Sequence, residues 1–328
     1  LLIIETMSDM QEMRAGLLAV KENTALPVIC SFTFDKNGRT LTGTDYLTAA
    51  LTCQSLGADV FSTNCGNGPE ELYAMLAPLK KQLQALLHVP LMIMPNAGLP
   101  VLEGGTAVYT MRPEEFGTLT SAFVDLGFSV FGGCCGTTPA HIKQTALKLR
   151  EMPEKAATSK NVPAKTYFTS RSARYVMDGK SDYLVIGERL NPTARKAFAA
   201  DLKEGRTDFL KQESVKQQQE GAHLLDLNVG VPEMDQVELM QKMSATLLNA
   251  CSLPVCFDSD DPKVLEVALK NYPGIAMVNS VNGKEKVLES VLPLVRRYGA
   301  RVIALALDEK GIPGTVEARM KIVKRIVK

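Results

Sequence analysis

Tryptophan is absent from this chain, histidine occurs three times, and phenylalanine and tyrosine make up only 6% of it. So few aromatics leave no base-stacking platform for single-stranded nucleic acid. The net charge is +1 and the basic residues are dispersed, so no basic face exists for a phosphate backbone. No apolar run approaches the roughly 20 residues that a membrane span needs, and no signal peptide is visible. The chain opens at Leu1 rather than Met, inside an apolar run, so an upstream segment is expected. Its seven cysteines are an odd number, and Cys30, Cys53, Cys251 and Cys256 lie in apolar or helical surroundings as core fillers. Free buried thiols suit a reducing cytoplasm better than a disulfide framework. A length of 328 residues suggests about two domains.

The other three cysteines stand apart. Cys134 and Cys135 lie in Phe131-Gly-Gly-Cys-Cys-Gly-Thr-Thr-Pro139, just past the apolar run Phe128–Phe131 and before a helix start. Adjacent side chains on a strand face opposite ways. The flanking glycines let the backbone turn both sulfurs to one side. Cys65 follows a second strand, in Thr63-Asn-Cys-Gly-Asn-Gly-Pro69. Three thiolates at strand ends can bind zinc and leave a fourth tetrahedral position open. The competing readings are buried structural thiols or a strained vicinal disulfide.

Residues 1–152 alternate strand-like and helical stretches, with strands expected at 1–4, 27–34, 59–64, 90–95 and 128–131. The alternation resumes after a break, with strands at 184–187, 224–229, 255–258, 277–281 and 302–307. This is the pattern of parallel strands with crossover helices. The break at 153–180 carries Pro153 and Pro163, is short of large apolar residues over 154–164, and reads as a linker, with packing of Tyr167–Met177 against one of the two halves left open. Each half holds about five strand–helix units, whereas a complete eight-stranded barrel needs about 250 residues. The expected fold class is therefore α/β, with two (β/α)8 TIM-type barrels each present in part. Residues 1–152 would be the end of one barrel and 181–328 the beginning of the next, within a longer polypeptide. Two small open α/β sheets are the alternative.

In the second half, polar groups gather at successive strand ends. They are Glu188 and Asn191 in Gly187-Glu-Arg-Leu-Asn191, Asp226 and Asn228, Asp258, and Asn279. Asp226 and Asn228 are two apart on one strand and share a face. The mouth of a β/α barrel gathers such residues. The alternative for any one of them is a polar group that satisfies loop backbone. His88, His141 and His223 read as structural, with His141 in a solvated or capping role.

The first half resembles the homocysteine S-methyltransferases. The resemblance rests on Gly132-Gly-Cys-Cys-Gly-Thr-Thr-Pro139, on Asn64-Cys65, on Pro95-Asn-Ala-Gly-Leu-Pro100, and on Glu5-Thr6 with Ser8-Asp9. It implies zinc on Cys65, Cys134 and Cys135, with Glu5 and Asn64 at the homocysteine. The second half resembles the pterin-binding domain of corrinoid-linked methyltetrahydrofolate methyltransferases, and Ala306-Leu-Asp-Glu-Lys-Gly-Ile-Pro313 adds to the match. That implies a pterin edge held by Asp258, hydrogen bonds from Asn279, and binding or site-shaping roles for Glu188, Asn191, Asp226 and Asn228. A carboxylate suits the neighbouring N–H donors of a pterin ring.

This domain order resembles the cobalamin-dependent methionine synthase family. The resemblance implies methyl transfer from 5-methyltetrahydrofolate through cobalamin to zinc-activated homocysteine. None of the three histidines stands in an Asp-x-His-x-x-Gly pattern, so cobalamin would be carried by a domain or subunit outside this chain. A cobalamin-independent homocysteine methyltransferase, a dihydropteroate synthase-like enzyme and a non-catalytic zinc–thiolate module are the rivals.

Overall fold

The computed structural model describes residues 1–152, 165–177, 179 and 183–328. They fall into two units, Leu1–Ala164 and Lys165–Lys328.

The first unit runs β1 (Leu2–Met7), α1 (Met10–Asn23), β2 (Val28–Phe32), α2 (Tyr46–Ser55), β3 (Val60–Asn64), α3 (Pro69–Leu76), α4 (Lys80–Leu86), β4 (Leu91–Met94), β5 (Val101–Glu103), β6 (Thr106–Val108), α5 (Pro113–Ser121), β7 (Phe128–Phe131) and α6 (Pro139–Glu151). Five strands form one parallel sheet in the order β1-β2-β3-β4-β7. β2 and β4 are buried along their whole length. Such strands read as continuous apolar runs because both faces are covered. Ile29, Met92 and Met94 pack with Val60 and Val130 in one cluster. Phe32, Phe34, Tyr46 and Phe61 form a second, aromatic one, with Tyr46 edge-on to Phe61.

Local chemistry starts the helices. Asp9 accepts from the backbone of Gln11 and Glu12 and opens α1; Asp45 does the same for α2 at Leu47 and Thr48. Helix α1 buries Met10, Met13, Arg14, Leu17 and Leu18, one face at helical spacing.

The second unit opens with a hairpin, β8 (Thr166–Thr169) and β9 (Arg174–Met177). Then follow β10 (Ile186–Leu190), α7 (Lys196–Lys203), α8 (Asp208–Gln219), β11 (Leu224–Leu227), α9 (Gln236–Ala250), β12 (Val255–Asp258), α10 (Pro262–Asn271), β13 (Met277–Asn282), α11 (Glu285–Arg297), β14 (Arg301–Leu305) and α12 (Val316–Val327). Its parallel sheet has the order β10-β11-β12-β13-β14.

Neither strand order reverses direction. A doubly wound open sheet has a switch point where the order turns back. A barrel wall has none, since each right-handed crossover adds the next strand on the same side. Both sheets therefore have the connectivity of barrel segments, and both are open at their outer strands.

Of the linker expected over 153–180, residues 165–177 belong to the second unit, the packing that the sequence left open. Phe168 of the hairpin packs with Leu224, Cys256 and Met277. Thr169 Oγ1 accepts from Ile275 N at 2.8 Å, and the Thr169 carbonyl accepts from Tyr272 Oη at 2.9 Å. A Cβ on Gly274 would lie 2.0 Å from that carbonyl oxygen, so only glycine lets the two backbones meet. The rest of the expected linker, apart from residue 179, lies outside the described residues.

Register shifts fall between Ile4 and Met7, between Leu91 and Met92, between Gly187 and Leu190, and between Asn279 and Val281. Three of the four fall beside polar residues named above, Glu5, Glu188 and Asn279, where such irregularities re-aim side chains.

Candidate functional site

In the first unit, β3 ends in a turn that leaves the extended path. Cys65 has φ +60° and Gly66 φ +71°. Thr6, at the end of β1, also lies in the left-handed region at φ +57°. A non-glycine residue there costs on the order of 1–2 kcal/mol and needs its surroundings to hold it. Asn64 supplies that hold. Its Oδ1 accepts from Thr6 N at 3.1 Å and from Ser31 Oγ at 2.7 Å, while its Nδ2 donates to Thr6 Oγ1 at 2.7 Å. The same Nδ2 lies 3.7 Å from Cys134 Sγ. Asn64 is fully buried, and Glu5 is exposed on β1.

The loop after β7 is fixed by backbone bonds. Cys134 N donates to the Pro95 carbonyl at 2.8 Å. Cys135 N donates to Asn96 Oδ1 at 3.1 Å, and the Cys135 carbonyl accepts from Ala97 N at 2.9 Å. Thr137 Oγ1 closes the turn on the Cys134 carbonyl. The Pro95-Asn-Ala-Gly stretch noted in the sequence is thus the frame of the cysteine loop.

These turns bring Cys65, Cys134 and Cys135 together. Cys65 Sγ is 3.6 Å from Cys135 Sγ, Cys134 Sγ is 4.0 Å from Cys135 Sγ, and all three lie within 4.8 Å of one another. Zinc–sulfur bonds of about 2.3 Å in a tetrahedron set sulfurs about 3.8 Å apart. The triangle fits zinc, and soft thiolate donors suit that ion. All seven cysteines are free, so no vicinal disulfide forms here. Burial pushes the Cys134 thiol up to about 11; the hydrogen bond from Asn64 opposes this, and the neighbouring Cys65 and Cys135 add to it. A metal-free cluster therefore holds Cys134 as a neutral thiol near pH 7.

The second unit gathers its polar residues by register. Asp226 on β11 pairs with Cys256 on β12, and Asp258 on β12 pairs with Asn279 on β13. Asn228 Nδ2 donates to Asp258 Oδ2 at 2.9 Å, and Asn279 Nδ2 to Asp226 Oδ1 at 3.3 Å. Asn228 Oδ1 accepts from Gly230 N at 2.7 Å, which fixes the amide's orientation. A cleft of about 230 Å³ opens here, lined in part by Asn228, Gly230, Asp258 and Ser259.

Asp226 is buried, and that burial raises its pKa. The Asp258 and Glu188 carboxylates raise it further, while hydrogen bonds from Cys256 and Asn279 pull it down. Cys256 was read as a filler, yet it faces Asp226 and burial holds its thiol protonated. Its position two before Asp258, on the same face of the strand, was the signal available in the sequence. Asn191 turns instead onto Thr193 N, at 3.0 Å, and Glu188 is exposed.

Two of the three histidines have structural partners. His141 caps α6 through Thr138 N at 3.1 Å and is buried rather than solvated. His223 Nδ1 accepts from Val185 N at 3.1 Å.

A homocysteine S-methyltransferase model matches residues 1–149, and a pterin binding enzyme model matches residues 187–327. The first part of the chain is thus similar to homocysteine S-methyltransferases, and the second part to pterin-binding enzymes. Methionine synthase of Mycobacterium tuberculosis (strain ATCC 25618 / H37Rv) is 32% identical over 342 residues, covering 99% of this chain and 28% of that protein. Methionine synthase of Mycobacterium leprae (strain TN) is 32% identical over the same shares. The chain thus spans 28% of the length of these curated relatives. The thiol triangle lies within the S-methyltransferase match, and the Asp226–Asn279 cluster within the pterin match. Among the described residues, no helix is long and apolar enough to cross a membrane.

Proposed function

We propose that this chain supplies the thiol-activating and pterin-binding parts of an enzyme that makes methionine. Overall, the methyl group of 5-methyltetrahydrofolate would end on the sulfur of homocysteine, and cobalamin, when bound, would supply the methyl-carrying chemistry. Homocysteine loses its thiol proton and gains the methyl; the folate N5 loses the methyl and ends protonated, as tetrahydrofolate. The observation that carries this reading is a zinc-spaced thiol triangle in the same chain as a pterin-type carboxylate–amide cluster.

Cys65, Cys134 and Cys135 would hold zinc, and bound zinc would deprotonate a coordinating substrate thiol that otherwise titrates near 8.5. Asn64 orients the cluster from beneath, through Thr6, Ser31 and Cys134. Glu5 would meet the substrate ammonium. Asp258 would accept from the pterin's neighbouring N–H donors, with Asn228 holding its far oxygen. Asn279, Asp226, Glu188 and Asn191 would shape the rest of the pocket. Cobalamin would be presented by a domain or subunit outside this chain. The seven free thiols suit a cytoplasmic setting.

Transfer of a labelled methyl group tests the reading. The intact protein is given zinc, homocysteine and 5-methyltetrahydrofolate carrying a radiolabelled methyl. Label should reach methionine only when cobalamin is also present. Label transfer at an undiminished rate without cobalamin would overturn the reading.

A further inference from the structure

The cleft beside Asp258 is small, at about 230 Å³. Pockets that enclose a whole drug-sized ligand run from roughly 300 to 1,000 Å³. The cleft suits a bicyclic pterin. A folate carries a benzoyl amide and a glutamate beyond that ring, and these must leave across the rim. The donor edge of a pterin and its tail-bearing carbon lie on opposite rings. With the donor edge on Asp258, the tail points away from the end of β12.

Four lining residues stand at the rim: Gly230, Pro232 and Asp260 are exposed, and Gln236 is half-buried. Glycine offers no side chain, and proline offers no hydrogen-bonding group on its ring. Asp260 has the same charge as the carboxylates of the tail. Gln236 remains. Its amide can donate and accept, and so can the benzoyl amide of a folate. Among the described residues, the Gln236 side chain has no hydrogen-bond partner of its own. The wall that carries it is preformed. Val231 N donates to the Val229 carbonyl at 2.8 Å, and Asp235 caps α9 by accepting from Val237 N at 2.9 Å and Glu238 N at 3.1 Å. Gln236 is the first residue of that helix, so its backbone is fixed while its side chain lines the cleft. A fixed backbone lowers the ordering cost of binding.

We propose that Gln236 is a specificity-determining residue for the folate, its Nε2 donating to the benzoyl carbonyl of the tail and so distinguishing a whole folate from a bare pterin. This rests on the reading of Asp258 as the holder of the pterin edge.

The test compares two ligands on the intact protein by titration calorimetry, the shorter one also by competition. One is 5-methyltetrahydrofolate. The other is 5,6-dimethyltetrahydropterin, which keeps the ring and its N5 methyl and lacks the tail. Gln236→Met keeps the length of the side chain and removes the amide, and the cap from Asp235 keeps the helix start. The variant should bind 5-methyltetrahydrofolate about fivefold more weakly, the effect of one neutral hydrogen bond, and should bind the pterin within about twofold of wild type. Asp258→Asn should weaken both ligands alike. Unchanged folate binding in Gln236→Met, or equal weakening of both ligands, would overturn the role of Gln236 and leave the pterin reading intact. Asp258→Asn that weakens neither ligand, or a wild type that does not bind the pterin, would overturn both.

Discussion

Replacing Cys134 with serine is expected to abolish zinc binding and to slow consumption of homocysteine by at least about 30-fold at pH 7. A free thiol with pKa near 8.5 is only about 3% ionised at that pH, whereas a zinc-bound one is ionised outright. The lost thiolate fraction alone gives the 30-fold. Serine is close in size, and the backbone bonds of residue 134 to Pro95 and Thr137 do not involve the sulfur. The fold should therefore persist, so the loss reports chemistry rather than unfolding. Consumption of 5-methyltetrahydrofolate with supplied cobalamin should be unchanged, because the Asp258 cluster is untouched. Metal analysis and the two half-reactions measured separately check this. A variant that keeps one zinc and full homocysteine turnover would contradict it.

The second large effect is expected in the other unit. Asp258→Asn should weaken binding of 5-methyltetrahydrofolate by about 10–140-fold. A hydrogen bond to a charged group contributes roughly 1.5–3 kcal/mol, and each 1.4 kcal/mol is tenfold in affinity. Asparagine keeps one oxygen able to accept from Asn228 Nδ2, so the β11–β12 end stays joined. What it removes is the negative charge and the second acceptor facing the pterin donors. Titration calorimetry on the intact protein measures the change. A dissociation constant within threefold of wild type would remove Asp258 from the pterin edge.

The frame of both units was legible because their strands are short apolar runs ending in polar motifs. The sheet strands expected in each half were found at nearly the same positions. The helix at Met10–Asn23 follows from the crossover pattern, and Met10, Met13, Leu17 and Leu18 have helical spacing. Asp9 of the Ser8-Asp9 motif is its N-cap, a role that the fold shows. The β5–β6 hairpin has three-residue strands and almost no buried side chain, so it left no periodicity to find. The β8–β9 hairpin is held by partners far along the chain, Tyr272 and Ile275, which local pattern does not reveal.

The site divides the same way. Cys134 and Cys135 were legible because glycines surround them, and Cys65 because it ends a strand. Asn64 was legible as a motif, but its burial beneath Thr6 and Ser31 is a tertiary fact. His141 reads as a cap from sequence, and only the fold shows its ring buried and bound to Met111.

The most direct test of the account is X-ray absorption at the zinc edge of the intact protein, with and without homocysteine. The account predicts about one zinc per chain, with three sulfur neighbours in the free protein and four once homocysteine is added. No zinc, or a sulfur count that homocysteine leaves unchanged, would contradict it.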